Sequence, residues 1–114
     1  MSTEATLVRH LNAFALGPDA IMRDYTDDSV LISPDGVLRG LAEIRPFFER
    51  FLADSPPELL AAMTVVRQEM QGEIAYIIWK AEPFIPLATD TFLIRDDKIV
   101  TQTFAAFIPA PAAS

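Results

Sequence analysis

The 114-residue chain is enough for one domain and too short for two, and a core of that size buries roughly two thirds of the surface exposed by the unfolded chain. Nine Lys and Arg against 16 Asp and Glu give a net charge of -7 with no basic run, which argues against nucleic acid or an anionic membrane as partner. The absence of cysteine removes disulfides, thiolate catalysis and thiolate metal sites together, and it fits a reducing compartment.

"MSTEATLVRH" carries an acidic residue and no apolar h-region, and no apolar run approaches the ~18 residues of a membrane span. A cytoplasmic, soluble protein is expected. Leu7, Leu11 and Phe14 recur at helical spacing behind a polar Ser2/Thr3 cap, predicting a first helix over 3–16 that ends at "LGPD". Pro18 and Asp19 suit the start of a short second helix, "PDAIMRDY", stopping at "TDDS". "SVLIS", "PDG" and "VLRG" read as strand, turn and short strand. The stripe Leu41, Ile44, Phe48, Phe51 and Leu52 then predicts a third helix, with Pro46 inside it and "SPP" breaking it near 55.

From 58 onward the pattern reads as four long strands: "ELLAAMTVVRQEM", "EIAYIIWKAE", "LATDTFLIR" and "KIVTQTFAAFI". Their connections are short. The order ααββαββββ describes an α+β domain over 1–108, with helices on a curved antiparallel sheet and a flexible tail over 109–114. An apolar share of 51% is high for so small a domain. The surplus apolar surface implies a ligand cavity, a subunit interface or both.

Asp90 stands in the middle of "LATDTFLI", where an ionised carboxylate costs several kcal/mol unless it is paired, protonated or wetted. It lines a pocket, or else its strand is an edge with the carboxylate facing water. A three-residue loop at "RDD", with Asp97 in the left-handed region, sets Asp90 across from Gln102 and on one face with Phe92, Val100 and Phe104. A two-residue turn sets it opposite Thr103. In "AYIIWKAE", alternation separates Tyr76, Ile78, Lys80 and Glu82 from Ala75, Ile77, Trp79 and Ala81 without saying which set faces inward. His10 lies at the rim of the first helix's apolar stripe, with no ligands at metal-binding spacing around it. No GxGxxG, P-loop, HExxH or GxSxG string occurs, so no cofactor is expected.

"GPDAIMRDYTDDSVLISPDGVLRG", "AEIRPFFERFL" and above all "TDTFLIRDDKIVTQTFAAF" resemble the nuclear transport factor 2-like (NTF2-like) superfamily, and within it the SnoaL-like and ketosteroid-isomerase-like small domains. That resemblance implies a cone in which a curled sheet wraps a helix around a pocket, and a homodimer formed through the sheet's convex face. In ketosteroid isomerases a protonated carboxylic acid helps a tyrosine stabilise an enolate oxygen while a carboxylate moves the proton. The resemblance puts Asp90 at the acid's position, His10 at the tyrosine's and Ser33 at the general base's. A serine hydroxyl without its own base cannot take a proton from carbon near neutral pH, so steroid isomerase activity is not expected.

The resemblance also turns Tyr76 and Ile78 inward and sets Trp79 on the convex face. The expected ligand pocket is then Ser33, Tyr76, Ile78, Phe92, Gln102 and Phe104, with Asp90 and His10 as the residues that would carry any catalysis. The function read from this is binding of a small, largely apolar molecule. The alternatives are a SnoaL-like acid–base isomerase, cyclase or hydratase, and a non-catalytic structural dimer.

Overall fold

The computed structural model describes residues 2–109, so the tail expected over 109–114 lies outside the described residues except for Pro109. The elements are α1 (Thr3–Ala13), α2 (Pro18–Met22), β1 (Val30–Ser33), β2 (Gly36–Arg39), α3 (Gly40–Asp54), α4 (Pro57–Ala62), β3 (Met63–Gln71), β4 (Ile74–Ala81), β5 (Ile85–Arg95) and β6 (Lys98–Phe107). Ser2 caps α1 by accepting the Ala5 N–H at 3.0 Å. α1 stops three residues earlier than its apolar pattern suggests, because the N–H groups of Leu16 and Gly17 both fold back onto the Ala13 carbonyl. α2 is likewise shorter, which leaves Asp24 and Tyr25 in the turn that follows it.

The six strands form one curved, unclosed sheet in the order β2-β1-β6-β5-β4-β3. It is mixed and not wholly antiparallel, since β1 runs parallel to β6. α4 corrects the expected strand start at 58. Pro57 occupies the first turn of a helix, Glu58 sits near its positive end, and Leu59 is the buried residue of a segment rich in helix formers. The chain turns to strand only at Met63, where ψ reaches 120°. Gly40 opens α3 at φ +75, and a Cβ there would lie 2.9 Å from the Asp27 carbonyl oxygen, so no other residue fits without moving that loop.

The helices cover one face of the sheet. Leu7, Ile21, Leu31, Ile44 and Ile99, drawn from five different elements, are fully buried between the layers. Each contributes about 1.5–3 kcal/mol relative to an exposed side chain. Along β4 the buried set is Ala75, Ile77, Trp79 and Ala81, which joins this core. Tyr76 and Ile78 therefore lie on the opposite face, away from the helices, and the expected orientation of β4 is reversed. Among the described residues, no helix is long and apolar enough to cross a membrane.

Candidate functional site

A cavity of about 160 Å³ lies between the helices and the sheet. Leu11 and Phe14 of α1, Phe47, Phe48 and Phe51 of α3, and Ile77, Trp79, Phe92 and Phe104 of the sheet give it an apolar wall, while Met63, Thr64 and Val65 form the rim on β3. Trp79 and Phe104 stack with ring centroids 6.4 Å apart and planes 18° from parallel. The remaining lining residues, His10, Asp90 and Gln102, are polar. One end of an otherwise greasy cavity is thus able to form hydrogen bonds.

The β5–β6 turn explains how Asp90 comes to face this space. Asp96 and Asp97 both take positive φ, 52 and 64, and make a two-residue turn closed by the pair Arg95 and Lys98. A β-bulge at Val100 then inserts one residue into β6, so that Asp90 lies opposite Phe104 and Gln102 opposite Phe92. Neither register expected from the sequence holds, and Val100 leaves the face it was assigned. Gln102 still reaches Asp90 diagonally, donating from Nε2 to Oδ2 at 2.7 Å. On the other side Ile77 is the cross-strand neighbour, and Trp79 Nε1 donates to Asp90 Oδ1 at 2.7 Å.

Asp90 is 6% exposed, and burial pushes its carboxyl above the usual carboxylate range. The N–H bonds from Trp79 and Gln102, and the proximity of His10, pull in the opposite direction without overcoming that burial. The carboxyl therefore keeps its proton to a higher pH than an exposed aspartate does.

Behind the cavity wall the polar contacts continue. Tyr25 O–H donates to Gln102 Oε1 and lies 3.4 Å from His10 Nε2. His10 Nδ1 is 3.0 Å from Asp24 Oδ2, and Asp24 Oδ1 accepts from Arg9 Nε at 2.7 Å. Arg9 Nη2 also donates to the Asp97 carbonyl at 2.6 Å, which ties α1 to the β5–β6 turn. Asp24 is completely buried and His10 is 1% exposed. Burial, reinforced by the charges of Asp90 and Asp24, lifts the Tyr25 phenol well above its ordinary range, so the hydroxyl remains a donor. Arg9, Asp24, His10, Tyr25, Gln102, Asp90 and Trp79 make one continuous polar chain from surface to cavity.

Of the residues expected at a site, His10, Asp90, Phe92, Gln102 and Phe104 are brought together on this cavity. Ser33 is elsewhere. It ends β1 in the pair with Gly36 and lines a separate outer cleft of about 310 Å³ with Asp35, Val37, Phe47 and Arg50, its Oγ accepting the Asp35 N–H at 3.2 Å. Tyr76 and Ile78 are excluded by the pleat of β4. Trp79, Tyr25 and Asp24 belong to the site without having been expected there. For Trp79 a signal existed: Lys80 and Glu82 share the set of Tyr76 and Ile78, and a set carrying two charges belongs outside. For Asp24 and Tyr25 there was none, since both meet His10 from a turn that the local pattern reads as helix.

No family model matches the sequence, and no curated protein matches it. Solved structures do. An NTF2-like protein of unknown function from Burkholderia xenovorans superposes with a TM-score of 0.74 at 20% identity, over 97% of this chain and 87% of that one. A SnoaL-like protein of unknown function from Burkholderia thailandensis gives 0.72 at 17% identity, over 92% and 94%. The chain has the NTF2-like fold. A candidate polyketide cyclase from Sinorhizobium meliloti shares this NTF2-like architecture, with a TM-score of 0.71 at 17% identity over 88% of this chain and 93% of that one. At such identities the likeness carries the fold alone, and the NTF2-like fold hosts unrelated functions. What this NTF2-like chain does has to be argued from its own cavity.

Proposed function

We propose that this NTF2-like chain binds a small, largely apolar molecule of one or two rings, with the molecule's hydrogen-bond acceptor at the Asp90 end of the cavity. The observation that carries this reading is the aromatic cavity of about 160 Å³ with Asp90 in its wall. A cavity of about 150 Å³ lined by Leu, Ile and Phe accommodates benzene, whereas a four-ring steroid needs considerably more room. Aromatic faces and edges suit a flat ligand, and a buried carboxyl whose pKa is raised would meet a carbonyl or other acceptor by turning its proton from Gln102 to the ligand. An interior left open in this way favours ligand binding over a purely structural role, for which side chains would fill the space.

The protein's single tryptophan, Trp79, is also the reporter. Acetophenone, indole and a four-ring steroid, titrated separately, test the size limit through the indole N–H resonance of Trp79. The two smaller probes should move it and Leu11→Phe, which narrows the cavity without adding a second indole, should suppress the movement. Failure of both small probes, or preference for the steroid, defeats the proposal.

A second reading is acid–base catalysis of the isomerase, cyclase or hydratase type, favoured by two titratable side chains, Asp90 and His10, on one cavity wall. It requires that Asp90→Asn abolish turnover of a bound probe while leaving its affinity intact. As to assembly, the proposed partner is a second copy of this chain, packed on the sheet face that carries Tyr76, Ile78, Thr91 and Thr103. The support is the apolar share of the composition and the half-buried Tyr76, Ile78 and Thr91 on that face, away from the helices.

A further inference from the structure

Among the described residues Asp90 and His10 are joined through two side chains only, Tyr25 and Gln102, and both of those can reverse their hydrogen bonds. In the arrangement above, Tyr25 donates to Gln102 Oε1, and Gln102 Nε2 donates to Asp90 Oδ2. With its proton spent on Gln102, the Tyr25 oxygen can only accept from His10, so a hydrogen bond between them in this arrangement requires hydrogen on His10 Nε2 as well as on the Nδ1 that faces Asp24. Asp90 is then the acceptor at the far end. The opposite arrangement uses the same heavy atoms. Asp90 carries the proton on Oδ2 and donates it to Gln102 Oε1, and the side-chain amide has turned over so that Nε2 donates to the Tyr25 oxygen. Tyr25 then donates to His10 Nε2, which has lost its hydrogen. Trp79 continues to donate to Asp90 Oδ1 in both. The proton count is identical, with one proton on His10 Nε2 in the first arrangement and on Asp90 Oδ2 in the second.

We propose that Asp90 and His10 hold a single proton between them, and that Tyr25 and Gln102 are the positioning residues that let either end take it. Removing that proton leaves one junction of the chain without hydrogen, whichever way Tyr25 and Gln102 are turned, and a buried polar group without its bond is costly. Among the described residues the charged groups facing this pair are few. Asp24 meets His10 from the turn after α2, Arg9 backs Asp24 from α1, and the other rings around His10 are the uncharged Phe14, Phe48 and Phe92. Tyr25 is not part of the cavity lining, so its role is exerted through its neighbours. The inference concerns the unliganded protein, and its failure would leave the binding proposal untouched.

The protein's single histidine makes the test unambiguous. Ring nitrogen shifts of His10 and the carboxyl carbon shift of Asp90 are followed against pH by NMR. Groups that share a proton titrate as a pair, so each resonance in the wild-type protein should record the same two steps. Asp90→Asn should leave His10 with one step. Tyr25→Phe, which deletes the reversible hydroxyl, should separate the curves so that each resonance keeps a single step of its own. A folded Tyr25→Phe protein in which both resonances still follow both steps would overturn the positioning role. Wild-type curves with one independent step each, unchanged at His10 by Asp90→Asn, would overturn the shared proton, and that comparison stands even if Tyr25→Phe does not fold.

Discussion

Trp79→Phe keeps a ring against Phe104 and deletes the indole N–H that donates to Asp90 Oδ1 at 2.7 Å. A hydrogen bond to a neutral group contributes about 1 kcal/mol, and one to a charged group about 1.5–3 kcal/mol. The narrower ring also leaves a void costing about 1 kcal/mol. The single substitution should therefore destabilise the protein by about 2–4 kcal/mol. A double-mutant cycle with Asp90→Leu cancels the void and isolates the bond. The coupling should be about 1 kcal/mol in acid and rise to about 2–3 kcal/mol where Asp90 is ionised. Because Trp79 holds the Asp90 carboxyl down, its removal also lets the folded pKa climb further and extends the loss of stability to higher pH. Urea unfolding followed by far-ultraviolet circular dichroism is the suitable assay, since the substitution removes the only tryptophan. A coupling below about 0.5 kcal/mol at both acidic and alkaline pH would refute the reasoning.

Asp90 alone makes stability fall with pH: its folded pKa is raised above the unfolded value, so its contribution is intact below the unfolded pKa, declines as pH rises and levels off above the folded pKa. Asp90→Asn should remove this slope from denaturation profiles, and an unchanged slope would assign it to other groups. Asp24→Ala strands His10 and Arg9 without their buried partner and should cost about 3–5 kcal/mol, read from the urea midpoint; a loss under about 1 kcal/mol would mean the pair is not stabilising. For assembly, sedimentation should find a species near twice the 12.6 kDa chain mass, and Thr103→Lys on the outward face should dissociate it. A monomeric wild-type protein would remove the dimer proposal.

What could be read from the sequence was local or periodic. Leu7 and Leu11 repeat at helical spacing, and "TDTFLIRDDKIVTQTF" alternates around a turn, so α1 and the β5–β6 hairpin were legible, as was a carboxylate buried at Asp90. The register was not, because the bulge at Val100 leaves no mark on the alternation of apolar residues. "ELLAA" was misread for a related reason: adjacent leucines fit a short buried strand and a single helical turn equally well, and Pro57 decides between them only if it is given its helix-starting weight. The facing of β4 was misassigned although the residues themselves argued correctly, since Lys80 cannot face the core while Trp79 faces water. Asp24 and Tyr25 were invisible as site residues because their meaning lies in contacts with His10, 14 and 15 positions away, made in a turn whose geometry no repeat encodes.

β6 is the last strand in chain order and yet lies inside the sheet, between β1 and β5. Its parallel pairing with β1 and the bond from Ser29 Oγ to the Ile99 carbonyl, 70 positions apart, fasten the β1–β2 hairpin to the rest of the sheet. During synthesis the β1–β2 hairpin therefore lacks its sheet partner until residues 98–107 leave the ribosome, while α1 can already rest on β4 and β5. Gln102 travels on that strand, so the cavity is completed in the same event that completes the sheet. A nascent chain stalled before β6 has an open core and a polar wall without Gln102, and it exposes apolar surface of the kind that makes incomplete folds prone to aggregation.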